Sequence, residues 1–336
     1  MKKLALALAL VAAIAATGCG DSKSPILTYV ARANGSTTTA PQLFKLNEAT
    51  KQATAVTISI PDTAYYISAN ADATAVTYCR DSSTTGWDIF LMGLDSVEKQ
   101  LTTNADACES VFSPDGKTIV YVTGASGDFV ISTMNVDGSN QKALYTPAAG
   151  TAESFYPEFS PDGKSVVFYA YTNSGPSAAQ RLHANQRTPS WLTKGPIRSK
   201  RAKPAVASTG ITQDGWYVMG LADTAPTFVY APNSWWGPAV FTGDGKKLLM
   251  TDSDGTHDNI FSVNLDGSSL TQLTTSTTTD NFSPVPYKNL IMFNSYNATN
   301  VSWDIYAMDQ TGNNQNLIHS TANTWEVLIE SYWSGD

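Results

Sequence analysis

Phe112-Ser113-Pro114-Asp115-Gly116-Lys117 runs directly into Thr118-Ile119-Val120-Tyr121-Val122, and this coupling of a tight turn to an apolar, β-branched run comes back twice. It returns 47 residues later as Phe159-Ser160-Pro161-Asp162-Gly163-Lys164, ahead of Ser165-Val166-Val167-Phe168-Tyr169. A looser copy, Phe241-Thr242-Gly243-Asp244-Gly245-Lys246 before Lys247-Leu248-Leu249-Met250, follows after another 82 residues. Pro presets one turn dihedral, Asp caps the turn through its side chain, and Gly supplies the positive-φ position. Each copy therefore reads as a strand, a tight turn and a returning strand. Self-similarity at a period of about 43 residues marks a repeat architecture.

A second signature lies about 17 residues after each turn and reads Trp87-Asp88-Ile89-Phe90-Leu91-Met92, Phe129-Val130-Ile131-Ser132-Thr133-Met134, Asp258-Asn259-Ile260-Phe261-Ser262-Val263 and Trp303-Asp304-Ile305-Tyr306-Ala307-Met308. Alternation of apolar with small or polar positions marks a strand with one buried face. Several copies enter a hairpin turn, such as Asp137-Gly138-Ser139-Asn140 or Asp266-Gly267-Ser268-Ser269, and a short last strand follows. Four strands per unit at this spacing predict an all-β fold, a single β-propeller. Copies of the third strand begin near Leu43, Ile89, Ile131, Tyr217, Ile260 and Ile305. The 86 residues from Ile131 to Tyr217 equal two periods, which places a missing copy near Leu182–Leu192 and predicts seven blades. Six blades with an irregular insertion is the alternative. Ile26–Arg32 resembles a second strand and Trp325–Ser331 a first strand, so pairing of the two termini would close the ring and remove an exposed edge.

These motifs resemble the TolB-type (WD40-like) propeller repeat, with its Ser-Pro-Asp-Gly-Lys turn, Ile-Tyr-x-Met strand and Asp-Gly-Ser turn. The resemblance spans nearly the whole chain in weakening copies and is strongest over 112–146, 159–170 and 241–275. It implies a fold more than an activity, because the repeat occurs in binding proteins, in domains beside peptidases and in some lyases.

The chain opens with Lys2 and Lys3, an apolar run from Leu4 to Ala16, and then Thr17-Gly18-Cys19. A basic start, a short apolar core and small residues describe a secretory signal. The run is too short for a bilayer, which takes ~20 residues. Ala16-Thr17-Gly18-Cys19 resembles a lipobox, which makes 1–18 a cleaved signal peptide, Cys19 the lipidated residue, 19–25 a tether and 26–336 the propeller. Lipid chains on Cys19 would hold the protein on a membrane. Gly20 stands where an inner-membrane retention signal would carry Asp, so the expected place is the outer membrane facing the periplasm, or the cell surface.

A formal charge of −8 argues against nucleic-acid binding, which needs a basic face. Cys79 and Cys108 are the remaining cysteines, and read either as one disulfide in an oxidising compartment or as two buried thiols in adjacent strands. From Lys164 to Gln213 there is no Asp or Glu, while Arg181, Arg187, Lys194, Arg198, Lys200, Arg201 and Lys203 all fall inside. That stretch reads as a basic loop for an acidic partner, as a degenerate blade, or as a frame error in the coding sequence.

No catalytic set emerges. His183, His257 and His319 lie in different repeats without metal-ligand spacing, and no nucleophile elbow or phosphate loop occurs. No metal and no cofactor are expected. Asp252–Asp258 superficially resembles a calcium loop but falls where a hairpin turn is due. Trp235 and Trp236, with Tyr65, Tyr66, Phe155, Tyr156 and Phe282 at equivalent places before their inner strands, are the candidate recognition rim. The expected function is a monomeric, membrane-anchored scaffold that binds an envelope protein or peptide. The alternative is a carbohydrate-active propeller that binds glycans or cleaves a polysaccharide as a lyase or hydrolase.

Overall fold

The computed structural model describes residues 26–33, 40–82, 86–103, 105–124, 129–147, 152–172, 211–233, 237–297, 299 and 301–329. Among them the chain forms six four-stranded antiparallel blades. Blade 1 holds β4 (Tyr65–Ala69), β5 (Ala75–Asp81), β6 (Trp87–Gly93) and β7 (Glu98–Gln100). Blade 2 holds β8 (Ala107–Phe112), β9 (Thr118–Thr123), β10 (Val130–Asn135) and β11 (Lys142–Ala143). Blade 3 is β12 (Ala152–Phe159), β13 (Ser165–Thr172), β14 (Gly215–Gly220) and β15 (Thr227–Tyr230). Blade 4 is β16 (Val240–Phe241), β17 (Lys247–Ser253), β18 (Asp258–Asn264) and β19 (Thr271–Gln272). Blade 5 is β20 (Asn281–Tyr287), β21 (Leu290–Asn297), β22 (Ser302–Asp309) and β23 (Asn316–His319).

Blade 6 is built from both ends of the chain. β24 (Thr324–Ile329) pairs antiparallel with β1 (Leu27–Ala33), which continues into β2 (Gln42–Asn47) and β3 (Gln52–Ala55). The expected closure is therefore present, running from Thr28 opposite Ile329 to Ala33 opposite Thr324.

The expected seven blades are corrected to six. β13 pairs directly with β14, Ser165 opposite Gly220 through Ala170 opposite Gly215, so one blade spans the whole of 152–230. The long spacing comes from 173–210, inserted between the second and third strands of blade 3. Residues 173–210, with the copy expected near Leu182–Leu192 and the basic side chains 181–203, lie outside the described residues.

The Ser-Pro-Asp-Gly-Lys turns owe their repetition to one hydrogen-bonding scheme. Ser113 Oγ donates to Asp115 Oδ1 at 2.6 Å, the Lys117 N–H reaches the same oxygen, and the Thr118 N–H donates back to Ser113 Oγ. Ser160 with Asp162, and Thr242 with Asp244, repeat it in blades 3 and 4. Blade 1 achieves a similar result with Asn70, whose Oδ1 takes the N–H groups of Thr74 and Ala75.

The inner strands of each blade bury apolar side chains against the next blade. Ile89, Phe112, Ile119 and Met134 fill the seam between blades 1 and 2. Leu249, Ile260, Ile291 and Phe293 fill that between blades 4 and 5. Leu27, Leu46, Ile305 and Leu328 do so beside the ring closure.

Candidate functional site: the channel face

Four first strands carry the same irregularity. The ladder to the second strand shifts between Tyr65 and Ser68, Cys108 and Val111, Phe155 and Glu158, and Phe282 and Val285. In each bulge the corresponding residue has positive φ: Tyr66 at 51°, Glu109 at 52°, Tyr156 at 57° and Ser283 at 50°. Gly237 at 69° takes that place ahead of β16. Side chains rarely adopt this conformation, and it costs of order 1–3 kcal/mol where the surroundings hold it. A bulge re-aims a side chain, and bulges cluster next to functional sites.

All five residues line one cavity of about 130 Å³ at the centre of the ring, to which Val30 and Leu328 of blade 6 also contribute. The wall is mostly apolar, with Ile67, Val111, Val240, Val285 and the prolines 157, 238 and 284. Glu109, Glu158, Ser68, Ser110 and Ser283 are the polar members of the lining beside the two tyrosines. No Lys, Arg or His lines it among the described residues. Neighbouring bulges touch round the ring: the Tyr156 N–H donates to Glu109 Oε2, and a Cβ on Gly237 would stand 2.9 Å from Ser283 Oγ.

Glu109 is 4% exposed, and burial pushes its carboxyl up to about 7. The Tyr156 N–H and the nearby Tyr66 hydroxyl oppose that rise, yet no hydrogen bond closes on Oε1. Ser110 Oγ, in the same wall, is likewise buried without a hydrogen-bond partner.

The aromatic pairs of the expected rim divide their work. Tyr66 and Tyr156 line the cavity. Tyr65 packs edge-on against Trp87 at 5.1 Å, Phe282 against Trp303 at 4.8 Å, and Phe155 against Phe129 and Tyr171. Trp235 and Trp236, like Cys19, lie outside the described residues. Cys79 of β5 and Cys108 of β8 meet across the seam of blades 1 and 2, Cα atoms 5.1 Å apart, with Tyr65, Tyr66 and Trp87 around them. Glu109 and Glu158 are not among the expected rim residues, which are all aromatic. Aligning the residues ahead of each turn brings out Glu109, which stands three residues before Phe112 as Tyr156 stands three before Phe159, while Gly237 stands four before Phe241.

The histidines do not converge. His183 lies outside the described residues, and His257 sits in a hairpin turn 3.4 Å from Asp280. His319 belongs to a different cluster. It is half-buried at the end of β23, receives or donates a hydrogen bond with the Tyr29 hydroxyl at 3.1 Å, and lies 3.4 Å from Glu326. Burial pushes Glu326 up to about 7 and pulls His319 down, with Asp304 favouring the protonated form of both. This cluster stands at the ring closure. Among the described residues no group of three or more His, Cys, Asp and Glu is placed to hold a metal ion.

Blade number, closure and turn chemistry define a six-bladed β-propeller of the TolB type in its fold. Two solved structures share the fold, at identities that speak for the fold alone. A TolB structure from Agrobacterium tumefaciens superposes with a TM-score of 0.59 at 14% identity, covering 90% of this chain and 98% of that one. TolB from Acinetobacter baumannii gives 0.58 at 15%, covering 90% of this chain and 66% of the other. In sequence, an uncharacterized protein of Agrobacterium fabrum is 33% identical over 111 residues, 32% of this chain and 36% of that protein. No family model matches the chain.

Proposed function

We propose that this chain is an exported lipoprotein, anchored through Cys19 to the envelope, whose propeller binds an envelope protein or peptide without transforming it. The observation that carries the reading is the channel face. Five blades hold the same positive-φ position, yet fill it with Tyr66, Glu109, Tyr156, Gly237 and Ser283. A position kept for geometry and varied in chemistry, on a rigid ring, suits recognition. The fold shared with two TolB structures supports the same reading.

The test is crosslinking in cells followed by mass spectrometry. The expected outcome is one envelope protein recovered with the full chain and lost with Tyr66→Ala plus Tyr156→Ala; background alone counts against the reading. Cys19→Ser should release the protein from the membrane fraction, and unchanged membrane association would sink the anchor. The rival, a carbohydrate-active propeller, draws on Glu109 and Glu158 in one cavity, since paired carboxylates with one pKa raised serve glycoside cleavage. Release of shortened products from a polysaccharide panel, lost in Glu109→Gln, would favour it.

A further inference from the structure

Resting on the binding reading, we infer that the channel cavity is a socket for a primary alkylammonium group, the head of a lysine side chain or a peptide N-terminus. Glu109 lines the cavity and is almost fully buried; the Tyr156 N–H donates to its Oε2 and the Tyr66 hydroxyl lies near, yet no hydrogen bond closes on Oε1 or on Ser110 Oγ of the same wall. An unpartnered buried acceptor costs about 1–3 kcal/mol, more when charged, so it persists where something else satisfies it. The lining carries the Glu109 carboxyl and, among the described residues, no Lys, Arg or His, so the complementary guest is a cation.

The kind of cation follows from the remaining wall. A hard metal ion wants six or more oxygen ligands for calcium, or an octahedral shell for magnesium. Here the oxygens share the lining with valines, prolines, Ile67 and Leu328. An alkylammonium asks for the opposite mixture: a few acceptors for its three N–H groups and apolar contact for its carbon chain. Tyr66 and Tyr156, from the blades on either side of Glu109, bring aromatic side chains to the same lining, and aromatic rings attract cations. A cavity of about 130 Å³ approaches the roughly 150 Å³ that holds a benzene, so it admits a head group but not a folded domain.

The charged or titratable groups lining the cavity are Glu109 of β8, Glu158 and Tyr156 of β12, and Tyr66 of β4. Because the Glu109 carboxyl sits near 7 and the amine stays protonated well above that, binding should strengthen as pH rises from 6 to 8.

The experiment is calorimetric titration of the full chain with butylammonium, with butanol as the neutral analogue. Expected are saturable butylammonium binding at pH 8, about tenfold weaker at pH 6, and no butanol binding of similar strength. Glu109→Gln should weaken butylammonium at least about tenfold while its melting temperature holds or rises, which separates lost binding from lost fold. Butanol binding as tightly as butylammonium, or full affinity in Glu109→Gln, overturns the socket. A capped lysine peptide and an uncapped lysine-free peptide then separate the two sources of ammonium. Capture of an envelope protein that Glu109→Gln leaves untouched would retain the scaffold reading while removing the socket.

Discussion

The turn end of each blade and its channel face obey opposite rules. At the turns, blades 2, 3 and 4 use almost the same residues in the same hydrogen bonds, Ser113 with Asp115, Ser160 with Asp162 and Thr242 with Asp244. On the channel face the backbone repeats, with positive φ in five blades, while the side chain changes at every step. Repetition of residues therefore serves the frame, and repetition of backbone with changing residues is the pattern on which the proposed recognition rests. The comparison can be broken by substitutions that weigh each end separately.

The largest effect belongs to turns that also touch the neighbouring blade. Gly312 has φ 88°, and an added Cβ would stand 2.2 Å from the Leu273 carbonyl oxygen of blade 4. Gly267 similarly meets the Val229 carbonyl of blade 3 at 2.4 Å. Left-handed backbone adds about 1–2 kcal/mol and the clash about 1–3 more, so Gly312→Ala should cost about 4 kcal/mol in denaturant unfolding. A loss below about 1 kcal/mol would mean that blades slide freely past one another.

Next is the cross-link between blades 1 and 2. Cys79 and Cys108 close a span of 29 residues across the seam of blades 1 and 2, immediately before the Glu109 bulge. Oxidised, the pair should add about 3 to 4 kcal/mol, as loop closure of that length implies. The check is a mobility shift on reducing gels together with the unfolding midpoint of Cys79→Ser plus Cys108→Ser. Full-length protein that alkylates at both cysteines without reduction would refute the tie.

On the channel face the prediction changes sign. The Glu109 carboxyl is raised from its ordinary value to about 7, so the folded state holds its proton more tightly than the unfolded one. Its favourable contribution is complete below the unfolded value near 4.5 and is lost as pH rises through about 7. Glu109→Gln should thus stabilise the protein by roughly 2–3 kcal/mol at pH 8 and by little at pH 4.5. Thermal melts across that window decide it, and equal shifts at both ends would show that Glu109 does not titrate there. A residue whose removal stabilises the fold is one kept for another purpose.

How much of this could be read from the chain depends on which end carried it. The all-β propeller, the turn at Asp115-Gly116 and the closure by Ile26–Arg32 with the C-terminal strand were legible, because turn chemistry and alternation are local. Blade number was not. An interval of two periods is the same for a missing repeat and for an insertion inside a hairpin, and only the pairing of Ser165–Ala170 with Gly215–Gly220 separates them. The channel was legible in half: Tyr66 and Tyr156 were picked out as aromatics, whereas Glu109 has a plain acidic side chain whose character comes from burial and from backbone it shares with Tyr156. Tyr65, Phe155 and Phe282 have the same local pattern and are packing residues, since periodicity does not tell which of two adjacent side chains a bulge turns inward.

The smallest effect belongs to the motif most visible in the sequence. Gly116 has φ 67°, like its counterparts Gly163 at 66° and Gly245 at 69°, but a Cβ there meets nothing within 4 Å. Gly116→Ala carries only the left-handed backbone cost, partly offset by the smaller entropy loss of Ala on folding, so about 1 kcal/mol is expected. Gly312 differs by one contact, the Leu273 carbonyl, and that contact should account for the remaining difference of about 3 kcal/mol. Unfolding the two variants side by side isolates the inter-blade term from the turn term. If they cost the same, the Asp-Gly turns act within their own blades, and cohesion of the ring rests on the apolar seams and the paired termini instead.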